Sequence, residues 1–128
     1  MVSHVDEETP FFNSLSPADM VIALAITKAH TIRDQIDYPA IIIGCDSTFE
    51  FEGESLGKPG DPTIAKERAS RVRGNSGYLH TGHCIIDTAR NIEISDRVTT
   101  KVTFSDMTDD EIDDYVASGE PLNVAGGF

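Results

Sequence analysis

Two side chains raise the question of chemistry. Asp46 follows the run Ile41-Ile42-Ile43-Gly44-Cys45, and Lys58 sits in Gly57-Lys58-Pro59 after a short acidic and aromatic stretch. A carboxylate holds a hard cation through oxygen and an ammonium meets phosphate as a compact point charge, so the two together suit a metal-bound polyphosphate. On a plain surface hairpin the same residues would only be solvated, and spacing alone favours that plainer reading. Lys28 is a third candidate. It falls in an apolar helical stripe, three residues after Ala25 and four before Ile32, where a lysine either lays its stem on the core and lifts its charge to water or points inward at an anion. Asp6-Glu7-Glu8 near the N-terminus reads by itself as a solvated acidic segment. His80 and His83 lie three apart in a strand-like run, so they face opposite sides and cannot share one metal as a helical pair could.

The elements that must position these groups are legible from periodicity and punctuation. Ser16-Pro17 supplies an N-cap and a first-turn proline for a helix running to about Ile36, with Val21, Leu24, Ala25 and Ile32 on its inner face. Ile41-Ile42-Ile43 reads as a strand inside the sheet and covered on both faces, the type of strand whose carboxyl end carries ligands. Phe49 and Phe51 alternate with Glu50 and Glu52, and Glu52-Gly53 is a two-residue hairpin turn that returns Lys58 toward Asp46. Asp61-Pro62 caps a polar helix ending before Gly74, whose arginines read as solvated. Strands are expected over 78–86 and 92–104, the second bent or bulged at Ser95-Asp96-Arg97. Thr108 and Glu111 form a capping box for a final helix with Ile112, Tyr115 and Val116 inward and Gly119 at its end.

Composition narrows the partners. With 22 acidic and 10 basic side chains the formal charge is −12, which argues against a broad nucleic-acid or anionic-membrane surface. An anionic small molecule must be held by a few placed cations or a metal. Cys45 and Cys84 lack metal-ligand spacing and read as small buried hydrophobes of a reduced, cytoplasmic protein. A length of 128 residues fits a single domain with its own core.

Several short motifs in one order carry a resemblance. Gly44-Cys45-Asp46-Ser47, Leu56-Gly57-Lys58-Pro59 with Ala65 six positions on, Ser76-Gly77, His80, Thr81-Gly82, and the stretch from Thr108 to Gly127 together resemble the Maf-like proteins. These are nucleoside triphosphate pyrophosphatases, also described as septum-formation inhibitors, with a fold similar to that of inosine triphosphatases. The resemblance implies an α/β fold, a mixed twisted sheet flanked by helices, in a single domain over residues 1–128. It implies hydrolysis of NTP or dNTP to the monophosphate and pyrophosphate with Mg²⁺ or Mn²⁺, a role in clearing non-standard or excess nucleotides. It makes Asp46 the catalytic acid and a metal ligand, and Asp6 and Glu7 the rest of the metal shell. Lys28 and Lys58 become phosphate ligands, and Ser76 and Thr81 nucleotide contacts. Asp-Ser stands where the family more often has Asp-Thr, and Asn123-Val124 where it more often has Asp-Lys. The family's N-terminal strand with its Ser-Pro-Arg-Arg type loop and its C-terminal strands have no counterpart here, so weak turnover is expected. The alternative is a catalytically impaired nucleotide-binding protein that regulates cell division; a homodimer is left open.

Overall fold

The computed structural model describes Val5, residues 10–123 and residues 125–127. After a four-residue helix α1 (Pro10–Asn13) come α2 (Pro17–Arg33), β1 (Ile41–Phe51), β2 (Glu54–Leu56), α3 (Pro62–Val72), β3 (Ser76–Asp87), β4 (Ile92–Thr103) and α4 (Asp109–Ala117). Two short 3₁₀ turns follow, Glu120–Asn123 and Ala125–Gly127. The strands form one antiparallel sheet in the order β2-β1-β3-β4, with helices flanking it, so the α/β expectation holds and β1 has a strand on either side. β1, β3 and β4 each run from one compact unit of the chain into another. The first unit comprises residues 1–47 and 80–99, the second residues 48–79 and 100–128.

Local chemistry accounts for most of the boundaries. The Ser16 hydroxyl accepts the Asp19 N–H at 3.2 Å with Pro17 in the first turn, and α2 ends at Arg33, three residues short of the expected Ile36. The Asp61 carboxylate accepts the N–H groups of Thr63 and Ile64 to start α3. Both halves of the Thr108–Glu111 capping box are present at α4. Glu52 and Gly53 both adopt positive φ, 53° and 80°, the conformation that matches the twist of a two-residue hairpin. The resulting register pairs Phe49 with Leu56 and Phe51 with Glu54. β4 runs as one strand over Ile92–Thr103, and within it the Arg97 N–H is accepted by the Asp96 carboxylate at 2.7 Å.

The reading of Ile41-Ile42-Ile43 as covered on both faces is corrected. Ile42 is 7% exposed, while Ile41 and Ile43 are 61% and 65% exposed, so only one face is packed there. Along β1 the buried positions are even-numbered through Thr48 and odd-numbered from Phe49. An antiparallel sheet tolerates a single covered face, whereas the both-faces reading presumed a parallel one.

In the first unit Ala25 and Ala29 of α2 pack with Ile42, Cys84 and Ile86, with Ile26, Ile32 and Ile36 beside them. Two strand glycines permit this. A Cβ on Gly44 would collide with the Ala25 carbonyl oxygen and stand 2.9 Å from the Ala29 Cβ, and one on Gly82 would collide with the Val21 carbonyl. The second unit is built on Phe49, Phe51, Leu56 and Val72, with Val102 and Phe104 against them. Phe49 and Phe104 meet edge to face, centroids 5.6 Å apart. The arginines of α3 are engaged and not merely solvated. Arg71 lies over the Phe51 ring, and Arg73, which caps the helix, donates to the Met107 carbonyl and the Asp109 carboxylate.

Candidate functional site

The site is built on β1 and α2 of the first unit. β1 delivers Asp46 on its packed face, four residues beyond Ile42, because alternate strand residues share a face. α2 places Lys28 one residue before Ala29, whose side chain sits in the apolar core. The small residues Ala25 and Ala29 and the bare Gly44 let the helix lie close enough for Lys28 Nζ to donate to Asp46 Oδ1 at 2.8 Å. Both groups are largely shielded, with side chains 22% and 12% exposed. A pair so placed keeps much of its attraction, and removing either partner strands the other charge in a poorly solvated position. Of the two readings open for Lys28, the inward one is therefore what the structure contains, and the anion it meets is Asp46.

The other expected residues are distributed as follows. Thr81 shares a hydrogen bond with the Ser47 hydroxyl at 2.9 Å, and Ser47, as the strand neighbour of Asp46, leaves β1 on the opposite side from it. Ser76 belongs to the second unit, where its hydroxyl meets that of Thr103 at 2.9 Å. Lys58 is also in the second unit, exposed, and follows β2 directly after Gly57. Asp6 and Glu7 lie outside the described residues. His80 is buried at 6% exposure, with its Nδ1 2.8 Å from the Thr99 hydroxyl. Cys84 is buried as expected, but Cys45 is exposed. Its odd-numbered place on β1 puts it with Ile41 and Ile43, which corrects its assignment to the core. In the first unit a cleft of about 300 Å³ is lined by residues that include Arg33, Tyr38, Pro39 and Thr88, none of them an expected site residue.

Sequence reasoning passed over three contributors. Gly44 and Gly82 set the approach of α2, and their signal was present in Val21, Ala25 and Ala29, a small-residue stripe at intervals of four on a helix that faces a glycine-bearing strand. Ser47 is marked only as part of the Gly44-Cys45-Asp46-Ser47 motif, with no role attached to its hydroxyl. Among the described residues, no group of three His, Cys, Asp or Glu side chains is disposed to hold a metal ion. The chemistry of the donor set still fits a hard cation. Mg²⁺ takes one or two protein carboxylates and completes its shell with water and substrate phosphate oxygens, and Asp46 supplies one such carboxylate.

Asp46, paired with Lys28, sits midway along β1 and not at its carboxyl end, because the strand continues to Phe51. The family model described as Maf-like protein matches residues 1–128. The chain belongs to the Maf-like family. It is similar to proteins named nucleoside triphosphate pyrophosphatase, 48% identical to that of Synechococcus sp. (strain WH7803) over 99% of this chain and 68% of the relative. It is 46% identical to that of Streptomyces coelicolor (strain ATCC BAA-471 / A3(2) / M145) over 100% of this chain and 62% of the relative. For Prochlorococcus marinus (strain MIT 9303) the figures are 47%, 100% and 67%. The Maf-like chain thus spans roughly two thirds of the length of these relatives. No described helix is long and apolar enough to cross a membrane.

Proposed function

We propose that this Maf-like chain acts as a nucleoside triphosphate pyrophosphatase of the cytoplasm, releasing pyrophosphate and leaving a nucleoside monophosphate. The Lys28–Asp46 pair carries the proposal, supported by the name that the relatives bear. In the reaction a water oxygen attacks the α phosphorus, the α–β anhydride bond breaks, and its electrons leave with pyrophosphate. Little covalent work falls to the protein, so catalysis rests on positioning and on charge placed where charge develops. Asp46 would hold Mg²⁺ or Mn²⁺ with Asp6 and Glu7, and that cation would neutralise phosphate oxygens. The Asp46 carboxylate also orients the attacking water. Lys28 has three N–H donors on a flexible stem, so it can hold Asp46 in place before substrate arrives and share its donors with phosphate afterwards. Lys58 neutralises phosphate charge, and Ser76 and Thr81 contact the nucleotide.

The test is pyrophosphate release from a panel of NTPs and dNTPs with Mg²⁺ or Mn²⁺. Weak turnover is expected in the 128-residue chain, abolished by Asp46→Asn and reduced at least tenfold by Lys28→Met, which removes one charge-assisted contact of about 1.5–3 kcal/mol. Chelation of the metal should stop it. Nucleotide binding without pyrophosphate release would replace the enzyme with the non-catalytic nucleotide-binding alternative. Unchanged turnover in Asp46→Asn would remove the site itself.

A further inference from the structure

In the second unit the Gly57 carbonyl oxygen accepts from two elements at once. Arg68 Nη1 on α3 donates to it at 2.5 Å, and the Gly126 backbone N–H at 3.2 Å. That carbonyl lies in the peptide plane whose nitrogen belongs to Lys58, so holding it fixes the plane from which the lysine departs. Gly57 has open space around its α carbon, and a glycine so placed can otherwise swing its carbonyl through much of torsion space. On the other side of Lys58, Pro59 is buried, and proline confines the residue before it to extended conformations. A Cβ on Gly127 would stand 2.7 Å from Pro59 Cγ, so only a glycine fits against the ring there. Lys58 is thus exposed at its tip and held at its root, by a clamped carbonyl before it and a packed proline after it.

We propose that Arg68 is a positioning residue for Lys58: by holding the Gly57 carbonyl it presets the direction in which the ammonium leaves the turn, and so lowers the ordering cost of meeting phosphate. This rests on the reading of Lys58 as a phosphate ligand. The guanidinium is suited to the task because its planar fork is pre-organised, whereas a lysine at the same position would present a rotating point charge.

The experiment measures affinity for inorganic tripolyphosphate with Mg²⁺ by calorimetry, in the 128-residue chain and in Arg68→Met, Arg68→Gln, Lys58→Ala and Arg68→Met/Lys58→Ala. Hydrogen exchange at the Gly126 amide is followed in parallel, and thermal melts check folding. Arg68→Met is expected to speed Gly126 exchange and to weaken tripolyphosphate binding roughly fivefold or more, as residues in one hydrogen-bond network couple. In the Lys58→Ala background it should weaken binding no further, and Arg68→Gln, which can still donate, should restore part of the affinity. An equal loss in both backgrounds overturns the proposal and makes Arg68 a phosphate contact or a general support. Unchanged affinity or exchange in Arg68→Met, with Lys58→Ala still weak, overturns it and leaves the phosphate role of Lys58 intact. No effect of Lys58→Ala removes that phosphate role, and the proposal with it.

Discussion

In the unit that holds Asp46, α2 meets β1 and β3 through small residues, Ala25 and Ala29 against Gly44 and Val21 against Gly82. In the other unit Phe49, Phe51 and Phe104 fill the interior with rings, and a glycine, Gly77, provides the slot for Phe49. The first solution brings backbone close to backbone, and the position of a side chain on the helix is then set by the strand beneath it. The second brings volume, and stability then comes from the area that the rings remove from water. A site that must hold Lys28 against Asp46 at 2.8 Å stands on the first kind of packing, where one added methyl is felt directly.

The contrast can be broken most severely at Phe49. Phe49→Ala deletes a fully buried ring and should cost about 3–5 kcal/mol of stability, read by urea denaturation. A loss under about 1 kcal/mol would mean that the rings are not what holds that unit. Gly44→Ala makes the opposite change, adding a methyl where helix backbone already lies, and should cost about 1–3 kcal/mol. It should also weaken tripolyphosphate binding, because α2 cannot move off β1 without moving Lys28. A neutral Gly44→Ala would erase the distinction between the two kinds of packing. The smallest effect is expected on the uncovered side of β1. Ile43→Thr, at a position 65% exposed, should stay within about 0.5 kcal/mol, and Ile42→Thr one residue away should cost several times more. Equal costs would restore the both-faces reading of this strand.

What the sequence disclosed, it disclosed through local chemistry. Ser16, Asp61 and Thr108 with Glu111 each satisfy backbone groups within four residues, Glu52-Gly53 takes the positive φ of a two-residue turn, and each sits where its residues predict. Three isoleucines in a row misled because hydrophobicity reports a residue type, and whether a face is covered depends on elements distant in sequence. The same ambiguity sent Cys45 to the core. At the candidate site, the helix stripe put Lys28 on the inner face, but its partner lies 18 residues away, beyond the reach of any periodicity. Only the resemblance joined them. Arg68 was passed over because a charged residue on a polar helix looks solvated until a particular carbonyl is found at its tip.

The two thiols separate by the parity of a strand. Burial pushes the Cys84 thiol above its ordinary value, with Glu93 adding to the rise, and reagents that attack thiolates find it neither ionised nor accessible. The Cys45 thiol is exposed on the side of β1 away from α2, one residue from Asp46. The native chain therefore comes with a single addressable handle. A maleimide fluorophore should attach once per folded molecule and twice in denaturant, and its emission would report on β1 from the face that Lys28 does not use.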